Sequence, residues 1–377
     1  MTSSEYVIIG AGFAGAATAY HLALTGAREI LILEQEEVPG VHSSGRNAAM
    51  VRQVVSDPAL AELTAEGAAF LQSLPPDWPV PVDFERNGSL LLGSGAGWPK
   101  LAADADAARR MGMAVECWSR ERACDFVPAL EDADFEGAVW CATDGVVDIH
   151  ALLTGYLKAA QSLGARVRYR AAVKKIEVVG GRVTAVVTDG ETIKTDAVID
   201  AAGPWAATVA KLAGAVEAPL SPCRRHLFVT APIASVSRKW PFVWDTTHEF
   251  YFRPEGGGLL LCPCDQEEMA PCDTPTDESA TELLYEKIRR YLPGLSDVAI
   301  KKHWAGFRTL SSDGRFVIGW DPKVKGFFWV AGLGGHGVTT SSAVGALAAK
   351  LILNPDSPEG REFSPGRFSQ RFRGAKI

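Results

Sequence analysis

Six residues near the start of the chain have the types and spacing to hold a diphosphate. Gly10-Ala11-Gly12-Phe13-Ala14-Gly15 fits G-x-G-x-x-G, between the apolar run Tyr6-Val7-Ile8-Ile9 and an Ala-rich stretch that ends at Gly26. In a strand–turn–helix unit the first glycine makes the tight turn and the second lets a pyrophosphate approach the backbone. The third lets the helix pack on the strand. The helix start adds free N–H groups and the positive end of its dipole. Glu34 stands 24 residues after Gly10, closing the next apolar run. An acid there accepts hydrogen bonds from an adenosine ribose and disfavours a 2′-phosphate. A glycine triplet alone is weak; strand, helix and acid together point to a dinucleotide.

A second glycine cluster lies at the far end of the chain. Residues 326–331 read as an apolar strand, and Gly332-Leu333-Gly334-Gly335-His336-Gly337 leads into a helix that begins near Thr339. Two glycine-lined helix starts suit a cofactor long enough to reach both. FAD fits better than NAD, because electron density gained at the ring edge on reduction is stabilised by a helix N-terminus. Guanidinium groups are the third signal. Arg308 has Trp304 and Phe307 as neighbours, where an unpaired cation is costly, so it is expected to meet a carboxylate. Arg224 and Arg225 are adjacent in a predicted strand and point to opposite faces, one of them to solvent; Arg225 is assigned to the site. His336 sits in a glycine turn, where a structural hydrogen bond is the commoner role, and His42 and His303 are weaker candidates. Cys262-Pro263-Cys264 lacks a second ligand pair, so it reads as buried thiols and no metal is expected.

The elements that must position these residues alternate in type. After the first strand–helix–strand unit, Asp57 and Pro58 open an amphipathic helix to about residue 73 as N-cap and N1. The proline-dense stretch 74–81 reads as a crossing into a second domain. Helical pieces follow at 99–111 and 120–126, with a strand at 89–92. Asp148 caps a helix to about residue 163. A strand at 166–169, a meander over 175–194 and a strand at 197–200 ending in glycine come next. From 219 to 307 the pattern is β-rich, with strands at 226–230, 249–252 and 258–262 and one helix at 277–291. The fold class expected is α/β: a discontinuous, Rossmann-like FAD-binding domain with an inserted, β-rich α+β substrate domain. The cofactor domain takes residues 1–76, 145–218 and 315–377, and the substrate domain takes 77–144 and 219–314.

Composition agrees with an ordinary globular chain. Its 377 residues are 47% apolar and 22% charged, which excludes a disordered, collagen-like or disulfide-scaffold protein, and the length is about 2.5 domain equivalents. A net charge of −7 argues against nucleic acid or an anionic membrane as partner. No run reaches the length of a membrane span. The first five residues lack a basic n-region, and seven scattered cysteines form no disulfide framework. A cytoplasmic location is expected. The segment 365–377 is basic, with Arg367, Arg371, Arg373 and Lys376, and reads as a solvated or lightly docked tail.

Taken together, GAGFAG (10–15), HSSGRN (42–47), AVIDAAGPW (197–205), HWAGFR (303–308) and GFFWVAGLGGHGVTTSSAVG (326–345) resemble the D-amino-acid oxidase and glycine oxidase superfamily of FAD flavoproteins. The match runs end to end in motif order, and is most similar to the bacterial D-amino-acid dehydrogenase branch that includes D-arginine dehydrogenase. The resemblance implies noncovalent FAD, since no cysteine falls in the C-terminal glycine segment. It implies contacts from Gly10, Gly12, Phe13, Ala14, Gly15, Glu34 and Gln35. Further contacts come from His42, Ser43, Ser44, Gly45, Arg46, Asn47 and Ala48, with Arg46 near the ring. Val173 meets the adenine through its backbone; Ala202, Gly203 and Trp205 lie along the diphosphate region. Gly334, Gly335, His336, Gly337, Val338 and Thr339 wrap the ring edge, with Arg308 beside them.

For the substrate, the resemblance implies that Arg225 and Arg308 fork onto a carboxylate and that Tyr251 closes over it, presenting Cα–H to flavin N5. The imine formed hydrolyses to a 2-oxo acid. This sequence departs from the D-arginine pattern: Gly88 aligns with the acidic residue, Met50, Arg52 and Val55 replace polar and aromatic residues, and Phe242 and Trp244 replace smaller wall residues. The substrate is therefore expected to be an apolar or aromatic amino acid, D-configured, or a secondary amine. Alternatives are a 2-hydroxy-acid dehydrogenase with His336 as base and a flavin subunit of a multi-subunit amine dehydrogenase. The electron acceptor, oxygen or a quinone, is left open.

Overall fold

The computed structural model describes residues 2–369. Short runs such as Ile30–Leu33 and Phe327–Ala331 carry no polar residue, and every residue in them is buried, as expected of strands covered on both faces. They belong to a six-stranded sheet in the order Arg166–Arg168, Ile30–Leu33, Tyr6–Ile9, Ala197–Asp200, Phe327–Ala331, Val317–Trp320. The first five strands are parallel and the last pair is antiparallel. Alternate side chains enter two cores. Ile8, Ile30 and Ile32 pack under the helices Phe13–Leu24, Ile149–Ser162 and Ser341–Leu353. Val7, Leu31 and Leu33 pack under the helix Ala206–Ala213 and a second sheet of four strands. In that sheet Thr2–Ser3, Glu191–Lys194, Arg182–Thr188 and Val173–Val179 lie in that order.

A nine-stranded sheet gathers Ser89–Gly93, Val115–Ser119 and Gly137–Cys141 with strands between Leu220 and Ser311. Its longest pairing is antiparallel, Leu220–Thr230 on Ile300–Ser311, with Cys223 opposite Arg308 and Arg225 opposite Gly306. Because opposed residues share a face and alternate ones repeat it, Arg225 and Arg308 are diagonal neighbours on one side of the sheet.

Several sequence expectations are corrected. The strand expected at 226–230 is longer, because Pro222 and the charged pair 224–225 mask a strand that begins at Leu220. The strands Val115–Ser119 and Gly137–Cys141 were not anticipated; the first is five residues of mixed polarity, and the second a short apolar run with Gly and Ala that carries no alternation to read. Within the proline-dense stretch 74–81, for which a crossing between domains is expected, Trp78 sits edge-on to Tyr20, Phe70 and Tyr156. Glycine at 155 makes its room, since a Cβ there would lie 2.4 Å from the Trp78 indole nitrogen. Arg224 does not serve solvent. It is buried on the opposite face from Arg225, donating to Asp277 Oδ2 (3.1 Å), to Glu267 and to the Pro275 carbonyl. In the basic tail, Arg367 is docked on Asp313, with Nε to Oδ2 at 2.8 Å; Arg371, Arg373 and Lys376 lie outside the described residues.

Candidate active site

One long cavity runs from the Gly10–Gly15 turn to the face of the nine-stranded sheet that carries Arg225 and Arg308. At its first end Gly10 has φ of +105°, and a Cβ there would stand 2.5 Å from the Ala201 carbonyl oxygen. Gly15 is equally constrained, with a Cβ 2.0 Å from the Gly10 carbonyl oxygen, so it serves packing and does not line the cavity. Glu34 is buried and braces the turn, its Oε2 accepting from Ala11 N–H (2.8 Å) and Oε1 from Glu36 N–H (3.0 Å). It still lines the cavity, and an ionised carboxylate has lone pairs beyond these two bonds. Gln35 lies beside it.

The segment His42–Ala48 forms one wall. The Asn47 amide pins its turn, donating to the Ser43 and Ser44 carbonyls and accepting from Ala49 N–H. The Ser44 hydroxyl accepts from Phe13 N–H at the helix start (3.0 Å). His42 bonds through Nε2 to Glu36 (2.8 Å) and rests on Trp205. Its Nδ1, the Ser43 hydroxyl and the Thr309 hydroxyl are enclosed without a protein partner. All three residues line the cavity, so polar atoms there await a ligand. Arg46 also lines the cavity, but its guanidinium pairs with Asp273 Oδ1 (2.6 Å) at the surface. Gly45 is off the cavity; a Cβ there would meet the Gly40 carbonyl oxygen at 2.2 Å. Phe13, Ala14, Ala48, Val173, Ala202, Gly203, Trp205, Gly334, Gly337 and Val338 complete the wall.

At the other end the cavity is cationic. Arg308 has no carboxylate partner among the described residues; its Nη2 donates to the Tyr251 hydroxyl at 3.4 Å, and Gly335 packs on its guanidinium. Arg225 is held by neutral acceptors, Nε to the Asp265 carbonyl (2.9 Å) and Nη2 to the Gln266 side chain (3.1 Å). Tyr251 is only 1% exposed and lines the cavity, its hydroxyl beside the Arg308 guanidinium. Burial pushes its phenol well above the usual range. His336 is driven down to about 3, first by burial and then by the charges of Arg52 and Arg308. Cys262 and Cys264 are buried free thiols.

The wall differs from the apolar or aromatic one expected. Trp244, Met50 and Leu227 line it, but so does Arg52. Phe242 lies away from the cavity, packed with Leu101, Ala105 and Val139. Val55 is likewise outside, and at Gly88 the space is taken by Trp140, whose ring a Cβ would meet at 2.0 Å. Sequence reasoning noted Arg52 only as a substitution and missed Thr309 altogether. The signal for Thr309 was its place next to Arg308 in a predicted motif; for Arg52 it was a cation set among apolar residues.

A family model described as FAD dependent oxidoreductase (DAO) matches residues 5–351. The chain is 26% identical over 94% of its length to 4-methylaminobutanoate oxidase (formaldehyde-forming) of Paenarthrobacter nicotinovorans, and spans 44% of that relative. The fold is similar to that of L-proline dehydrogenase from P. horikoshii, with a TM-score of 0.88 at 24% identity, covering 98% of this chain and 99% of that one. It is also similar to iminodiacetate oxidase from Chelativorans sp. BNC1, with a TM-score of 0.79 at 25% identity, covering 96% and 99%. Among the described residues no helix is long and apolar enough to cross a membrane.

Proposed function

The chain belongs to the FAD dependent oxidoreductase (DAO) family, and on that premise we propose that it oxidises the CH–N group of an α-amino acid. The substrate is D-configured or carries a secondary amine, and water converts the imine product to a 2-oxo acid. The observation that carries this reading is the pair Arg225 and Arg308, side by side on one sheet face, lining the same cavity as both glycine turns and without a carboxylate partner among the described residues. The glycine cradle and the enclosed His42 Nδ1, Ser43 Oγ and Thr309 Oγ1, without partners among the described residues, fit noncovalent FAD held by residues 10, 12–14, 34–35, 42–44, 46–48, 173, 202–205 and 334–339. When bound, FAD supplies acceptance of a hydride from the substrate's Cα at flavin N5.

The chain's own residues supply position and field. Arg308 and Arg225 fork onto the substrate carboxylate and fix its orientation. The Tyr251 hydroxyl, accepting from Arg308, steadies that guanidinium. The surrounding cations disfavour an ammonium and favour the neutral amine, whose lone pair stabilises the developing imine. His336, at about 3, carries no proton at neutral pH and is a weak base. That weakens the hydroxy-acid alternative, which relies on it to take a hydroxyl proton. Seven free thiols support the cytoplasmic reading.

The test is an absorption spectrum of the purified protein before and after anaerobic mixing with pools of D-amino acids, L-amino acids and N-methylated amino acids. A flavin spectrum that bleaches with one pool is expected. A flavin that none of them reduces would remove amine oxidation as the function.

A further inference from the structure

Arg52 has no role in the clamp formed by Arg225 and Arg308. It lines the cavity, and its guanidinium lies 4.2 Å from the centre of the Trp244 ring, with that of Arg308 5.9 Å from the same ring. Its Nε is enclosed without a hydrogen-bond partner. Among the described residues its backbone N–H, bonded to the Thr339 hydroxyl at 3.1 Å, is its polar tie, and no carboxylate pairs with its side chain. The acids whose field reaches it are Asp144, Cys264 and Asp104; the Cys264 thiol is hydrogen-bonded to Cys262, and the two carboxylates are engaged elsewhere. Asp144 accepts from Gln53 N–H, Gln53 Nε2 and the Ser89 hydroxyl, and Asp104 accepts from the Ser56 hydroxyl.

Four arginines line the cavity, at 46, 52, 225 and 308. Arg46 is neutralised by Asp273. The other three gather around Trp244 and Tyr251, whose rings lie 4.8 Å apart. An amino acid with a neutral side chain brings one carboxylate, which the Arg308–Arg225 fork consumes, and leaves Arg52 partly buried with only an indole face for company. An aromatic face returns part of the cost of desolvating a cation; a second anion returns far more.

We propose that Arg52 receives a second carboxylate, so that the substrate is an amino acid with two acidic groups. The second group is carried either on the Cα side chain or on an N-carboxyalkyl arm, and it meets Arg52 beside Trp244. The assignment rests on the amino-acid oxidation proposed above, leaves its redox chemistry unchanged, and replaces the expected apolar side chain.

The experiment uses the FAD-loaded enzyme and pairs each diacid with its neutral counterpart: glutamate with glutamine and aspartate with asparagine, in both enantiomers, and iminodiacetate with N-methylglycine. Anaerobic flavin reduction should favour the diacid by at least about tenfold in kcat/KM, mostly through KM. The amino-acid pairs and the iminodiacetate pair distinguish the two positions of the acid. Arg52→Met should bring the ratio near unity, and Arg52→Lys should keep part of it. Independently of turnover, glutarate titrated against the flavin absorption band should bind the wild type at least about tenfold more tightly than butyrate, and Arg52→Met should abolish the difference. Neutral members equal to diacids in the wild type, or an Arg52→Met that weakens both members of a pair alike, would overturn the assignment. If Arg52→Met fails to fold or load FAD, the wild-type pairs and the glutarate–butyrate comparison decide alone. A flavin that no amino acid reduces defeats the underlying function as well; one reduced only by neutral amino acids defeats this assignment and leaves that function standing.

Discussion

Arg308 owes its position to small neighbours. The glycine at 335 lets its guanidinium lie against the turn, where a Cβ would come within 3.2 Å of both Cζ and Nη1. Arg308→Ala should raise KM on the order of 100-fold, the loss of a forked, charge-assisted contact, while the flavin spectrum stays unchanged. Kinetics unaltered across a substrate panel would take Arg308 out of the site. Gly335→Ala displaces the guanidinium by only a few tenths of an ångström and should raise KM by roughly threefold to tenfold, with kcat falling less. Steady-state kinetics separates the two effects. At this scale the sequence was legible where chemistry constrains residue type: the glycines, Glu34, and a guanidinium among aromatics. It was silent on partners. Arg46 pairing with Asp273 and Arg224 with Glu267 and Asp277 depend on loops brought together from distant parts of the chain, which no local pattern reports.

The elements around the second glycine cluster are locked by one contact. Gly67, inside the helix Pro58–Gln72, faces the turn before Ser341–Leu353, and a Cβ there would stand 1.9 Å from the Thr339 carbonyl oxygen. Because the obstacle is backbone, Gly67→Ala must push the helix away, at a cost of roughly 1–3 kcal/mol. Thr339 also takes the Arg52 N–H, so the push reaches the cavity. A lower urea midpoint and faster loss of FAD on dilution are expected; a variant with wild-type midpoint and cofactor retention would show that the helix yields without cost. Helices with caps and apolar stripes were legible, as with Asp57 and Asp148, whose side chains cap as expected. The short strands of the nine-stranded sheet were not, because their pairing partners, and so their register, are set by tertiary contacts.

Over the whole molecule the sign of charge is segregated: the chain carries a net −7, whereas among the described residues the cavity wall holds four arginines and a single carboxylate, Glu34. The molecule's response to acid comes partly from groups outside that cavity. Burial pushes His21 down to about 4, against about 6.5 in an unfolded chain. Above the unfolded value both states are neutral. As pH falls from there toward about 4, the unfolded chain takes a proton that the folded one refuses. Stability is thus lost across that window with a slope of up to about 1.4 kcal/mol per pH unit. His336 acts with the same sign. Asp144, raised by burial to about 6, acts oppositely and flattens the loss. His21→Gln should make the urea midpoint fall less between neutral and mildly acidic pH than in the wild type; parallel curves would refute the assignment to His21. The strand order has a consequence for synthesis. Ala197–Asp200 is flanked by Tyr6–Ile9 and Phe327–Ala331, so its last neighbour is synthesised only after the long stretch of chain between residues 200 and 327. Until then this strand presents an apolar, unpaired edge, and pairings between segments so far apart in the chain form slowly. A growing chain therefore cannot complete the binding cavity piecemeal, and the interval before closure is when it most needs protection from sticking to others.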